Sequence, residues 1–270
     1  MGKKSVAFRE TRLENVLDII RSQDGVLVSD LAEKFDVSPS TIRLDLGVLE
    51  DRSLITRTHG GALLRKEFRL NLNAGSGTIT ERSDLFRPEK KAIGRAAASL
   101  IEDGDTLLID GGSTTSCVVD FLLEKKHLTV ITNSLIIMQK MYLLPTISLY
   151  MLGGMSFSKH GVTIGPMTNE ALKKFSPSKT ILGIDGLSVE KGLMAADPAT
   201  PAIASVKVDM VKISTELIVV CDHSKLNHVC PMTIAPIEAM DYLVTDQYAP
   251  DSIVRSIRSR GPQVIVAKIE

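Results

Sequence analysis

The sequence predicts an α/β protein in two parts: a small helical module closed by a β-hairpin, then a larger domain on a mostly parallel sheet. Three observations carry this. Apolar residues recur at helical spacing through the N-terminal third of the first hundred positions and beyond, to about residue 65. From about residue 89, short β-rich runs alternate with helical stretches, the order of a parallel sheet with helices on both faces. Between the two, periodicity lapses over a stretch holding Asn71, Asn73, Gly75, Ser76, Gly77 and Pro88. The expected division is a first domain at 1–65, a linker at 66–88 and a second domain at 89–270.

In the first part, Leu13, Val16, Leu17 and Ile20 form an apolar stripe that Gly25 ends. Ser29 is expected to cap a second helix that turns Leu31, Ala32 and Phe35 inward. Ser38 caps a third, with Pro39 at the first helical position, where its missing N–H costs nothing. Ile42, Leu46 and Leu49 line the buried face of that helix. Strand-like runs at Leu54–His59 and Ala62–Leu64 flank Gly60-Gly61, a tight hairpin signal. Helix, helix, turn, helix, hairpin is the order of a winged helix-turn-helix.

The face opposite Ile42, Leu46 and Leu49 carries Ser40, Arg43, Leu44 and Gly47. A helix that reads DNA needs small or hydrogen-bonding residues near its N-terminus, where they reach phosphates and base edges. Ser38, Ser40, Thr41 and Arg43 meet that need; Arg43 can take a guanine bidentately, and Leu44 offers only apolar contact. Arg57, His59 and Arg65, with Lys66 and Arg69 beyond, lie where a wing would meet the DNA backbone. The same pattern also suits a small helical module that binds a partner protein.

In the second part, strands are expected at Thr106–Asp110, Thr129–Thr132, Ile147–Leu152, Thr180–Asp185, Leu217–Asp222, Tyr242–Asp246 and Val264–Ala267. Helices are expected at Lys91–Leu100, Cys117–Glu124, Ile203–Ser214 and Ser252–Arg258. Most of these strands end on aspartate, threonine or glycine, and in open α/β sheets the ligand crevice lies outside the carboxyl ends of the strands. The strongest single feature there is Asp110-Gly111-Gly112-Ser113-Thr114-Thr115-Ser116, directly after a strand and before a helix. Glycines let the backbone approach an anion, the N–H groups of a helix start point at it, and three hydroxyls add donors. It is neither a P-loop, which needs a lysine this loop lacks, nor a GxGxxG turn. Asn133-Ser134, Gly153-Gly154, Asp185 and Asp222–Lys225 follow other strands and can converge on it. Lys225 supplies a point charge for phosphate, and Asp185 and Asp222 accept from sugar hydroxyls.

Composition sets bounds on function. The chain has 270 residues, with 32 Lys+Arg balancing 32 Asp+Glu, 44% hydrophobic and 24% charged. Those values describe a soluble globular protein and exclude disorder or a disulfide scaffold. No apolar run approaches the ~20 residues that span a bilayer, and the N-terminus reads as no secretory signal. Cys117, Cys221 and Cys230 are scattered, which fits a reducing cytoplasm. Zero net charge argues weakly against nucleic acid, but it hides a basic strip: Arg52, Arg57, Arg65, Lys66 and Arg69 against Glu67 alone.

Val28-Ser29-Asp30-Leu31-Ala32, then Val37-Ser38-Pro39-Ser40-Thr41-Ile42-Arg43-Leu44-Asp45-Leu46, then Arg57-Thr58-His59-Gly60-Gly61-Ala62 resemble the N-terminal signature of the DeoR family of bacterial transcriptional regulators. Glu89–Gly94, the DGGSTTS loop, Thr132-Asn133-Ser134, Leu152-Gly153-Gly154, the later glycine pair, Asp222-His223-Ser224-Lys225 and Thr245-Asp246 resemble that family's sensor domain in order and spacing. The resemblance runs over about residues 10–250. It departs at Leu44, where a second basic residue is common; at Phe157, where a basic residue is often found; and at Asp197–Ala202, which displaces the usual Glu-Ala.

What the resemblance implies is a winged helix-turn-helix followed by an α/β sensor domain similar to ribose-5-phosphate isomerase, acting as a repressor of a sugar-metabolism operon. It implies an effector, a phosphorylated sugar or a related anionic sugar such as a sulfonate, that weakens operator binding. The expected DNA contacts are Ser38, Ser40, Thr41, Arg43, Arg57, His59 and Arg65. The expected effector contacts are Asp110, Gly112, Ser113, Thr114, Thr115, Asn133, Ser134, Gly154, Asp185, Asp222 and Lys225. Operator DNA and a homo-oligomer, dimer or tetramer, are the expected macromolecular partners; neither a cofactor nor a membrane is expected.

The residues also hold the parts of three other chemistries. An isomerase-like enzyme can use Asp110, Asp185, Asp222 and Lys225 as acids and bases, but has little use for a fused helix-turn-helix. Cys221, His223, His228 and Cys230 form a C-x-H-x4-H-x-C cluster of zinc-ligand types, although a cysteine closing a buried strand usually serves as a small hydrophobe. Triad hydrolysis lacks a GxSxG elbow.

Overall fold

The computed structural model describes residues 12–13, 15–17, 19–20, 25–51, 54–64, 77–197 and 200–269. They belong to two compact units, Met1–Asn73 and Ala74–Glu270.

In the first unit the described residues between 12 and 20 are helical, and Leu13, Val16, Leu17 and Ile20 are buried, as the stripe requires. Gly25 opens a short strand, β1 (Gly25–Leu27), which runs directly into α1 (Val28–Lys34). Ser29 does not cap that helix: Leu27 holds the cap position without a side-chain bond, and Ser29 Oγ donates to Asp30 Oδ1 at 2.8 Å. Ser38 does cap α2 (Pro39–Asp51), accepting from the Thr41 N–H at 3.2 Å. β2 (Ile55–Arg57) and β3 (Gly61–Leu64) complete an antiparallel sheet in the order β1-β3-β2. The hairpin turn sits one residue earlier than the Gly-Gly signal suggested. The Thr58 N–H donates to the Gly61 carbonyl at 3.0 Å, so His59-Gly60 are its central pair. Gly61 belongs to β3, and a Cβ there would collide with the Val26 carbonyl of β1.

The second unit begins with α3 (Ile79–Asp84) and α4 (Arg87–Ala98). β4 (Thr106–Ile109), α5 (Ser113–Val119), β5 (Thr129–Thr132), α6 (Leu135–Met141) and β6 (Ser148–Met151) follow. A hairpin, β7 (Met155–Phe157) and β8 (Val162–Ile164), leads to α7 (Pro166–Leu172) and β9 (Lys179–Gly183). Then come β10 (Gly186–Ser188), β11 (Gly192–Ala195), α8 (Pro201–Ile213), β12 (Glu216–Val220), β13 (Met232–Ala235), β14 (Tyr242–Asp246), α9 (Asp251–Arg258) and β15 (Gln263–Ala267).

The seven strands expected from the sequence are the seven strands of one wholly parallel sheet, in the order β15-β14-β12-β9-β4-β5-β6. Both faces are covered, so its strands read as nearly continuous apolar runs. On one face Leu107, Ile109, Val130 and Val220 pack with Ile93 and Ala97 of α4, Val118 of α5 and Ile137 of α6. On the other, Leu108, Ile131, Leu182 and Val219 pack with Leu172 of α7, Val206 and Met210 of α8 and Ile257 of α9. No helix among the described residues is long and apolar enough to cross a membrane.

Part of the stretch read as a linker is structured. Residues 66–76 lie outside the described residues, but α3 falls inside it, closed by a reciprocal capping box between Thr78 and Glu81. Its six residues are too few to show a helical period, which is why the sequence read as irregular.

Candidate functional site

Sequence order along the sheet runs outward from β4 in one direction through β5 and β6, and in the other through β9, β12, β14 and β15. The chain leaving β4 enters α5 on one face, while α8, between β9 and β12, packs on the other. Divergence of this kind makes the carboxyl ends of β4 and β9 the topological switch point, where open sheets place their ligand crevice. Asp110, the glycine pair and the start of α5 emerge from β4 there, Asp185 lies just past β9, and Asp222–Lys225 just past β12. Asp110, Ser113, Thr114, Thr115, Asp185, Asp222 and Lys225 are all buried.

No side chain caps α5, and Thr115 Oγ1 turns back to the Gly112 carbonyl at 3.0 Å. Its first backbone N–H groups have no partner within the helix. Gly111 has no room for a side chain: a Cβ would overlap Val162 and press on Ser134 at 3.2 Å. That contact holds the loop flat against the β8 hairpin.

The aspartates are engaged by cations the sequence reading did not name. Lys207, on the buried face of α8, forms a short ion pair with Asp110 and donates to the Gly183 carbonyl at 2.7 Å. Asp110 also accepts the Gly183 N–H at 3.2 Å. Burial pushes the Asp110 carboxyl above its ordinary value, with the Lys207 ammonium pulling the other way. Asp185 accepts from Arg82 Nη2 of α3 at 2.8 Å and from the Ala196 N–H at 3.1 Å. Burial would raise its pKa, but the charges of Arg82, Lys207 and Lys225 outweigh that and hold it well below the carboxylate range. Asp222 caps the turn at His223–Lys225 through the Ser224 N–H at 3.1 Å; against its burial, Lys225 and Lys90 keep it ionised.

Lys90, on the buried face of α4, donates to the Arg82 carbonyl at 2.5 Å, and desolvation brings its pKa down to about 8. Arg82, Lys90, Lys207 and Lys225 therefore lie among Asp110, Asp185 and Asp222, with the buried carboxyls of Glu89 and Asp246 beside Asp222. Lys207 had a signal in the sequence, a lone lysine among Val206, Met210 and other apolar residues of one helix face. Lys90 sat within the quoted Glu89–Gly94 motif. Arg82 lay in the presumed linker and had none.

Other expected residues divide. Asn133 and Ser134 border the crevice beside Gly111 but carry structural bonds. Asn133 Nδ2 donates to the Thr163 carbonyl at 3.0 Å, leaving its buried Oδ1 unpartnered, and Ser134 caps α6. Gly154 (φ +146°) is required by packing, because a Cβ would strike Thr168 Oγ1 of α7. At the departure near Phe157, that ring stacks on His160, with centroids 5.2 Å apart. His160 is buried, with Nδ1 3.3 Å from Arg82 Nη1 and Nε2 unpartnered; burial and the Arg82 charge lower its pKa to about 4.

The Cys/His cluster does not form a ligand set. His223 Nδ1 is 3.0 Å from Asp246 Oδ1, burial pushes the Cys221 thiol far up, and burial takes Cys230 up to about 12. Among the described residues no group of three or more His, Cys, Asp or Glu is arranged to hold a metal.

In the first unit, Ser38, Ser40 and Arg43 of α2 and its cap are exposed, Thr41 is half-buried, and Leu44 is 68% exposed. Ser38 Oγ lies 2.7 Å from Ser40 Oγ and 2.9 Å from Thr41 Oγ1, a compact hydroxyl cluster at the helix start. The opposite face is fixed by Ile42, Leu46 and Leu49 and by a buried Asp45 that accepts from Arg12 Nε at 2.6 Å. Arg57 and His59 are exposed on the hairpin, and Arg57 Nη1 reaches within 3.9 Å of where a Cβ on Gly47 would stand. Arg65 lies outside the described residues.

Comparison with known proteins matches both units to one family. A DeoR-like helix-turn-helix domain matches residues 12–68, and a DeoR C-terminal sensor domain matches residues 86–247. The transcriptional repressor AccR of Agrobacterium fabrum is 30% identical over 88% of this chain and 89% of its own length. The repressor GlcR of Bacillus subtilis is 30% identical over 97% of both chains, and the glycerol-3-phosphate regulon repressor of Escherichia coli 30% identical over 95% and 99%. Ribose 5-phosphate isomerase from Plasmodium falciparum is a structural neighbour at TM-score 0.37 and 19% identity, over 51% of this chain and 52% of that one. The three sequence relatives are named as repressors, and the chain belongs to the DeoR family of transcriptional regulators.

Proposed function

We propose that this regulator represses a sugar-metabolism operon and is released from its operator by a phosphorylated or otherwise anionic sugar bound at the β4/β9 crevice. The observation that carries this reading is the cluster of four cations, Arg82, Lys90, Lys207 and Lys225, set among buried carboxylates at the switch point, beside the uncapped start of α5. An anion meets Lys90, Lys225 and the first N–H groups of α5; sugar hydroxyls meet Asp185 and Asp222. Asp110, like Asn133, Ser134 and Gly154 among the expected contacts, supports the site: its ion pair with Lys207 holds the loop.

The DNA-facing assignment rests on α2. Its exposed Ser38, Ser40 and Arg43 and half-buried Thr41 read the major groove, while Arg57, His59 and Arg65 meet phosphates. Helix-turn-helix proteins usually read paired half-sites, so the active form is a dimer or tetramer acting in the cytoplasm. The test is a thermal-shift screen of sugar phosphates and sugar sulfonates on the full chain. A true effector raises the melting temperature in a concentration-dependent way, because it binds only the native state. Failure of every anionic sugar to stabilise the protein rejects the effector class.

A further inference from the structure

Helix α3 lies directly after the boundary between the two units, yet little apolar surface holds it to the second. Ile79 is its one buried residue. What fastens it is polar and is concentrated at the effector crevice. Arg82 Nη2 donates to Asp185 at 2.8 Å, and Nη1 lies 3.3 Å from His160 Nδ1. The Arg82 carbonyl accepts from Lys90 at 2.5 Å, and the Ile79 N–H donates to the Lys159 carbonyl at 2.8 Å. Asp185 and Lys90 are groups the proposed effector would meet.

Resting on that reading, we propose that Arg82 is itself an effector-binding residue, and that an anion in the crevice fastens α3 onto the sensor domain. The geometry supports both halves. A guanidinium has five N–H donors in a fixed fork; two nitrogens serve Asp185 and His160, which leaves donors for an anionic oxygen. The imidazole of His160, kept neutral by burial beside Arg82, orients the fork as an acceptor, and its unpartnered Nε2 is a second polar atom available to a ligand. A ligand's bonds to Arg82 exist only while α3 is docked. By linkage, the ligand must then favour the docked helix by its differential affinity for the two states. The segment so tightened is the one that leads back along the chain to the DNA-binding unit.

Hydrogen exchange on the full chain tests this, with and without glucose 6-phosphate, ribose 5-phosphate, glycerol 3-phosphate and inorganic phosphate as probes. For any probe that protects the 111–116 loop, the parent should show at least threefold slower exchange over 79–84 at the same concentrations. Arg82→Gln should bind that probe at least tenfold more weakly and show no slowing over 79–84. Protection of 111–116 with unchanged or faster exchange over 79–84 overturns the proposal. If no probe protects 111–116, the assignment of the effector site fails, and the clamp is judged without ligand. Arg82→Gln and Asp185→Asn should each speed exchange over 79–84 about tenfold, and the double variant no further. Unchanged exchange in both single variants then overturns it.

Discussion

The Lys207–Asp110 pair shows how much of the crevice depends on single buried charges. Both side chains are almost wholly inaccessible, and each is held by the pair and by Gly183. Removing one partner of such a pair strands the other, at about 3–5 kcal/mol. Lys207→Met should therefore lose about that much stability at pH 7 in denaturant titration. The loss should shrink as pH falls, because burial pushes the Asp110 carboxyl upward and removing the Lys207 ammonium pushes it further, so the stranded carboxylate is relieved by protonation. His160 supplies the opposite pH signature. Its folded pKa, about 4, lies below the ordinary imidazole value of ~6.5, so between these the unfolded chain binds a proton that the native state refuses. Stability is lost as pH falls through that window, and His160→Gln should remove on the order of 1–3 kcal/mol of that loss between pH 7 and pH 4.5. On the DNA side, Arg43→Ala should cost about 1–3 kcal/mol on specific duplex and little on random duplex. Equal losses on both would make Arg43 a phosphate contact.

At the level of elements, the sequence was legible wherever a period had room to repeat. All seven strands of the parallel sheet and the helices α4, α8 and α9 were readable, because buried strands and long amphipathic helices write their faces into the chain; the helix expected at Cys117–Glu124 instead runs over Ser113–Val119, starting directly on the glycine loop. Strands outside that sheet were not readable. The β7–β8 hairpin, β10, β11 and β13 lie in small antiparallel pairings and interrupt the strand–helix alternation by which β4, β5 and β6, of similar length, were read. The hairpin turn was placed one residue late, since both glycines of Gly60-Gly61 look like turn residues. One of them is needed instead for the close passage of β1 over β3. Gly61→Ala should accordingly destabilise the first unit and weaken DNA binding, while Gly60→Ala, whose Cβ would meet nothing within 4 Å, should be far milder. The site was half-legible for a related reason. Acids and glycines at strand ends announce a crevice locally, whereas Lys207 and Arg82 come from helices distant in sequence, and only the fold brings them to Asp110 and Asp185.

For the whole molecule, zero net charge and DNA binding are compatible because the basic residues are local. Each chain offers a few cations in and after the hairpin sequence, so the slope of log affinity against log salt should be about −3 per chain bound, each phosphate contact contributing roughly −0.9. Effector affinity should also fall as pH rises above about 8, where the free protein's Lys90 gives up its proton; isothermal titration at pH 7 and 9 checks this. The claim that joins the two units is that an anionic sugar in the crevice controls the helix-turn-helix. Its most direct test is fluorescence anisotropy on a duplex selected by the full chain from a random pool, titrated with the sugar that stabilises the protein. The parent should lose at least tenfold in affinity, while Lys225→Ala should bind the duplex as the parent does and not respond. A parent indifferent to every anionic sugar, or a Lys225→Ala variant released as readily as the parent, would contradict it.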